Sequence, residues 1–210
     1  MLDTPLVVLD FETTGLSPAL GARITEVAAL RVVNGQIVER FSSLVNCGVR
    51  IPYDITQITG ISQAMVNAAP RAADVVPALL RFIGKDALAA HNASFDQKFL
   101  LNESQLLKLK PQHSHLVCSL LLARRVLPQL SSYKLSELAR GLNIRFAGQA
   151  HRAEADAEVT VHLMNHLANT LRQQHRCQHI DAGLLVGINQ QTAAKVPAFL
   201  KSKHTAGIAS

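Results

Sequence analysis

The chain has 210 residues, 48% of them apolar and 17% charged, proportions that suit one buried core and exclude an extended disordered protein. Its net charge of +6 is unevenly placed, with −1 on residues 1–100 and +7 on residues 101–210. No apolar run reaches the roughly 18 residues of a membrane span, and Met1-Leu2-Asp3-Thr4-Pro5 lacks the basic start and apolar stretch of a secretory signal, so a cytoplasmic protein with no membrane partner is expected.

Leu6 to Leu9 is a fully apolar run that reads as a buried strand leading into Asp10. Ile24 to Val33 and Gln36 to Val45 read as a hairpin turning at Asn34-Gly35, the strongest turn signal in the chain. A loop and a short helix around Ser62 to Asn67 come next, then a helix over Ala72 to Ile83 with Val75, Val76, Leu79 and Leu80 inward, then a short strand at Ala87 to Ala90. Helices are expected at Ser94–Leu107, Ser119–Leu127, Lys134–Leu142 and Glu154–Leu171, with a strand near His115 to Cys118. This order predicts an α/β domain built on a mixed sheet flanked by helices.

From Gln173 onward the periodicity weakens, leaving apolar islands at Leu184-Leu185-Val186 and Val196 to Leu200. The expected division is therefore a domain over residues 1–172 and a C-terminal extension over 173–210 that either packs on it or docks a partner. Cys47, Cys118 and Cys177 are odd in number and widely spaced, which points to reduced thiols rather than a disulfide framework or structural zinc.

Several carboxylates fall where the local apolar pattern calls for buried or pocket-facing side chains. Asp10 and Glu12 are two apart on a strand and share a face, where like charges repel unless a cation bridges them; oxygen donors alone suit Mg²⁺ or Mn²⁺ better than zinc. Thr13-Thr14-Gly15-Leu16 follows as a tight turn whose backbone N–H groups can approach a phosphate. Asp96, in His91-Asn92-Ala93-Ser94-Phe95-Asp96, falls in the first turn of a helix capped near Asn92 or Ser94, a position that suits either simple capping or metal ligation. Asp156 opens a helical stripe continued by Val159, Thr160, Leu163, Leu167 and Leu171, and His151 lies just before that helix, where an imidazole can take a proton near neutral pH. His162/His166 and His175/His179 have the spacing of zinc pairs but no accompanying HExxH pattern, and Lys108/Lys110 and Arg124/Arg125 are basic pairs that suit either a phosphate backbone or a solvated helix end.

Together the three segments resemble the DEDDh exonucleases, the family of the proofreading epsilon subunit of bacterial DNA polymerase III, RNase T and oligoribonuclease. The resemblance covers roughly residues 5–170, through Asp10 to Leu16, His91 to Asp96 and His151 to Ala157. It implies an RNase H-like fold and a two-metal mechanism, with Asp10, Glu12, Asp96, His151 and Asp156 as catalytic residues. Asp10, Glu12, Asp96 and Asp156 would hold two Mg²⁺ or Mn²⁺ ions, Asp10 bridging them, and His151 would deprotonate the attacking water. Thr13, Thr14, Gly15, Leu16, Asn92 and Phe95 would bind substrate, Leu16 and Phe95 against the terminal bases; Phe95 is equally readable as a core aromatic. Ile58-Thr59-Gly60-Ile61 resembles an epsilon-like loop in which a His often stands where Thr59 is.

The function expected is 3′ to 5′ hydrolysis of single-stranded DNA ends in proofreading or repair. An exoribonuclease of RNase T or oligoribonuclease type keeps the same chemistry. A nucleic-acid or polymerase binding subunit is the alternative of a different class, with the C-terminal islands as its docking peptide.

Overall fold

A computed structural model describes residues 4–144 and 151–206 of the chain, with side chains as far as Lys203. Strands β1 (Leu6–Thr13), β2 (Ile24–Val33), β3 (Gln36–Leu44), β4 (Ala87–Ala90) and β5 (Leu116–Cys118) form one sheet in the order β3-β2-β1-β4-β5. β1, β2 and β3 pair antiparallel, while β4 runs parallel to β1 and to β5. The β2–β3 connection is the Asn34-Gly35 turn, with φ of 51° and 73° at the two residues, the left-handed pair that a tight hairpin needs. The mixed sheet expected from the element order is the one observed.

Side-chain alternation along β1 divides the interior in two. Leu6 and Val8, with Ala28, Leu30 and Val32 of β2, face helices α5 (Ser119–Val126) and α7 (Ala153–His175). Val7, Leu9 and Phe11, with Val27 and Ala29, face α3 (Ala72–Ile83) and α4 (Ala93–Leu106). Asp10 and Glu12 continue the Leu6-Val8 row, so they emerge on the α7 side where that core ends.

Helix α1 (Tyr53–Thr59) stands where only a loop is predicted. Its seven residues are too few to display a helical period, and Ile55, Thr56, Ile58 and Thr59 are β-branched. Local bonds close it: the Thr59 hydroxyl donates to the Ile55 carbonyl and accepts from the Ile61 N–H, and Gly60 turns the chain at φ 71°. Helix α2 (Gln63–Ala68) follows, near the short helix expected around Ser62 to Asn67, and is capped by the Ser62 hydroxyl. Between α5 and α7 lies the short α6 (Leu135–Gly141). Helix α7 runs a turn past the predicted Leu171, because Arg172, Gln173 and Gln174 are good helix formers even where no apolar stripe continues.

The segment after α7 folds as α8 (Ala182–Asn189) and α9 (Val196–Ala206). Leu185, Ile188, Val196 and Leu200 are buried in the same core as α5 and α7. The Asn189 side-chain amide closes the β5 edge, accepting from the Cys118 N–H at 2.8 Å and donating to its carbonyl at 3.2 Å. Gly187 lies where a Cβ would come within 2.5 Å of the Phe199 ring, so a larger residue there would oblige the ring to shift. The three cysteines are free, Cys47 and Cys177 buried and Cys118 half-buried.

Leu185→Ala is expected to cost about 2 to 5 kcal/mol in urea unfolding, the range for a truncated core leucine. A loss below about 0.5 kcal/mol, the size of a surface effect, would show that α8 contributes nothing to the domain.

Candidate active site

The ends of β1, α4 and α7 converge at the carboxyl edge of the central strands. Asp10, Glu12 and Asp156 each place a carboxylate oxygen within 4.8 Å of the others, and among the described residues no other group of three or more metal-ligating side chains converges in this way. His162 and His166, a turn apart on α7, do not belong to such a group. Asp96, in the first turn of α4, lies outside that triplet but is only 3% exposed and close enough for its charge to act on Asp10. An Asp at a helix start that served only as a cap would be solvated; this one is buried against the cluster.

The electrostatics follow from burial and crowding. Desolvation, then the charges of Asp96, Asp156, Glu12 and Glu26, hold the Asp10 carboxyl well above its usual range. Glu12 is pushed up to about 7 by desolvation and by Asp156 and Glu26, with Arg152 acting the other way. Asp96 is pushed up to about 8 by desolvation, against hydrogen bonds from its own backbone and that of Phe11. Asp156 is also raised by burial, while the His151 imidazole and backbone beside it pull it down. An all-oxygen cluster that resists ionisation on its own fits a hard divalent cation, whose charge reverses that resistance.

The turn after β1 is tied down from within. Thr13 and Thr14 are buried: the Thr13 hydroxyl donates to the Gly15 carbonyl, and the Thr14 hydroxyl accepts from the Arg23 N–H. Arg23 is fixed in turn by Glu103 of α4, its Nε and Nη2 donating to the two carboxylate oxygens at 2.7 and 2.8 Å. Leu16 is left 86% exposed on this braced loop. Gly15 has an ordinary negative-φ backbone, with room for a Cβ 3.5 Å from Ala22.

Asn92 begins α4 in the left-handed conformation, φ 65°, without a side-chain cap bond. Phe95 is half-buried with its ring centroid 5.0 Å from that of Phe99, so part of it serves the core. His91 is a brace: its Nε2 lies 3.0 Å from the Tyr133 carbonyl and its Nδ1 2.9 Å from the Ser119 hydroxyl. A carbonyl only accepts, so in the neutral ring Nε2 carries the proton and Ser119 donates to Nδ1. Burial lowers the His91 pKa, which favours that neutral form.

His151 is exposed, at φ 62°, and lines a cavity of about 670 Å³ with Asn92, Arg124, Ser132, Lys134 and Asp156. Arg124, whose guanidinium lies 5.7 Å from the Tyr133 ring centroid, belongs to this cavity, whereas Arg125 donates to the Gln191 carbonyl and ties α5 to the C-terminal segment. Lys108 and Lys110 are exposed beyond the end of α4. The sequence-based reading overlooks Glu26 and Arg152. Glu26 lies opposite Glu12 on β2 and binds the Arg152 guanidinium and the Ala153 N–H. A lone carboxylate in the apolar run Ile24 to Leu30 was the available signal.

The RNase T family profile, described as Exonuclease, matches residues 7–164. The chain belongs to this exonuclease family. It is 36% identical over 163 residues to the DNA polymerase III subunit epsilon of Aquifex aeolicus, covering 78% of this chain and 80% of that protein. It is 38% identical over 189 residues to a PolC-type DNA polymerase III of Oceanobacillus iheyensis, covering 90% of this chain but 13% of the polymerase. The chain spans 11 to 13% of the PolC-type relatives. Among solved structures, Exonuclease X in complex with 5′ overhanging duplex DNA aligns with a TM-score of 0.69 at 28% identity, over 88% of this chain and 99% of that one. The RNase H-like architecture is thereby established, and the DEDDh motif order places the chain in that group. The family depends on divalent metal, and the acidic cluster offers an all-oxygen set of donors of the kind that suits one.

In EDTA, the raised carboxyls keep protons in the folded chain that the unfolded chain, titrating near 4, has already released. Their contribution to stability is full below pH about 4 and is lost as the pH rises through about 7 and 8, the folded values of Glu12 and Asp96. Melting temperature without metal should therefore fall from about pH 5 to about pH 8, and Mn²⁺ should raise it more at the upper end. Asp96→Asn should flatten the fall; a profile unchanged by that substitution, or by Mn²⁺, contradicts the assignment.

Proposed function

We propose that the protein is a metal-dependent 3′ to 5′ exonuclease that releases nucleoside monophosphates from single-stranded DNA ends, in proofreading or repair. The observation that carries the reading is the convergence of Asp10, Glu12 and Asp156, with Asp96 buried beside them and His151 on the adjoining cavity. The similarity to an epsilon subunit over most of both chains, and to an exonuclease held on DNA, supports DNA as the substrate. The compartment this implies is the cytoplasm.

Two Mg²⁺ or Mn²⁺ ions are the expected cofactors. Glu26 and Arg152 form a neutral pair, which leaves the four motif carboxylates for two divalent ions to neutralise. When bound, such ions stabilise negative charge on the attacking and leaving oxygens of a phosphodiester. The chain's own residues do the rest. Asp10, Glu12, Asp96 and Asp156 would hold the ions. His151 takes the proton of the attacking water on a ring nitrogen, a role open to it because its side chain is exposed to the cavity. Leu16 and the outer edge of Phe95 lie against the terminal bases, an apolar contact that tolerates any base. Arg124 and Lys134 give the cavity positive charge for the phosphate backbone.

Thr59 uses its hydroxyl within α1, so it makes no substrate contact of the kind a His offers. A protein partner such as a polymerase would meet the outward faces of α8 and α9, because Val196 and Leu200 are turned into the domain.

The test is mononucleotide release from 3′ ends of single-stranded DNA and RNA of equal sequence with Mg²⁺ or Mn²⁺. Wild type should degrade DNA, Asp10→Asn should be inactive, and His151→Gln should lose about 10² to 10⁴-fold, the worth of a general base. Strong preference for RNA would retain the chemistry and overturn the DNA role. Binding without cleavage under every metal condition would overturn the enzyme.

A further inference from the structure

Glu26 is a carboxylate near the start of β2, 4% exposed, where its neighbours Thr25, Val27, Ala28 and Ala29 are all buried. A buried anion in that position is costly unless its lone pairs are satisfied. Here they are: Nε and Nη2 of Arg152 donate to it, Nε at 3.0 Å, and the Ala153 backbone N–H donates to Oε2, also at 3.0 Å.

Ala153 is the first residue of α7, and its N-cap is Arg152, an extended residue with no side-chain cap bond of its own. Arginine has no acceptor, so it cannot cap a helix. The acceptor comes instead from 127 positions away, on the strand next to β1. Glu26 lies directly across from Glu12 in the β1–β2 register. The bond from Glu26 to Ala153 therefore sets where α7 begins relative to the strand that carries Asp10 and Glu12. Asp156 is one turn further along α7, and His151 immediately precedes Arg152 in a left-handed turn.

We propose that Glu26 and Arg152 form a latch of positioning residues that sets the spacing of Asp156 from Asp10 and Glu12 and fixes the turn presenting His151. Glu26 sits among the acidic residues yet is committed to Arg152 and the α7 backbone rather than to a cation. The latch joins the first and third acidic segments of the site through a strand that carries no motif residue. This inference rests on the proposed roles of Asp156 and His151.

The test uses the full chain with Arg152→Gln, Glu26→Gln and the double variant, each followed by Mn²⁺ affinity in calorimetry, thermal unfolding, and kcat and KM on single-stranded DNA. Glu26→Gln keeps an acceptor for Ala153 and loses the ion pair, so it is the milder of the two. The expected result is a loss of about 10 to 100-fold in Mn²⁺ affinity and in kcat for Arg152→Gln, the range for groups that orient metal ligands, with KM little changed. The double variant should be no worse than Arg152→Gln alone, since both remove one latch. Mn²⁺ affinity and kcat unchanged in well-folded variants, or a lower melting temperature as the sole effect, would overturn the latch. Because Mn²⁺ binding is read without substrate, a wild type that fails to cleave nucleic acid would overturn the functional reading and leave the latch testable.

Discussion

The constraint on which the rest of the structure depends is the repulsion among carboxylates brought together at one edge of the sheet. Asp10, Glu12, Asp96 and Asp156 are partly or wholly removed from water, and each raises the cost of ionising its neighbours. Such a cluster does not hold itself together. The two apolar cores, one on either side of β1, hold it: the rows Leu6-Val8 and Val7-Leu9-Phe11 lock the strand between α7 and the α3–α4 pair. Stability invested in packing offsets an arrangement that is unfavourable until a cation enters it.

Around this centre the fixed polar contacts have a common purpose of restraint. Arg23 and Glu103 brace the loop bearing Leu16, His91 ties the start of α4 to Ser119 and the Tyr133 backbone, and Arg40 binds Glu154 and Glu158 to join β3 to the beginning of α7. The exposed pairs among these add little stability singly. Their value is geometric, because a displacement of about 1 Å at a reacting centre costs far more in rate than in folding energy.

Much of this was legible in the sequence. The strands and most helices followed from apolar period and turn chemistry, and Asp10, Glu12 and Asp156 stood out because each interrupts an apolar pattern. Glu26 interrupts one too, but its partner lies in a segment whose proximity exists only after folding. The same limit hid the internal use of the Thr13 hydroxyl, which local sequence alone presents as free to meet substrate, and of the Thr14 hydroxyl, in a residue that the sequence presents through its backbone. Helix α1 was invisible because its bonds are capping interactions at Thr59 and Gly60 rather than a repeating apolar face. The end of α7 was misplaced for the opposite reason, since helix propensity continued past the last residue that the sheet required.

The site draws its groups from β1, α4 and α7, so the chain must grow past Asp156 before they meet. During synthesis the strand carrying Asp10 and Glu12 emerges long before Asp156, and the helix that brings Asp156 needs β2 already in place to receive its first N–H at Glu26. A nascent polypeptide that has not reached α7 therefore has scattered carboxylates but no assembled centre, so hydrolytic competence arrives only once α7 has docked. For a nuclease, that timing is a safeguard written into the topology.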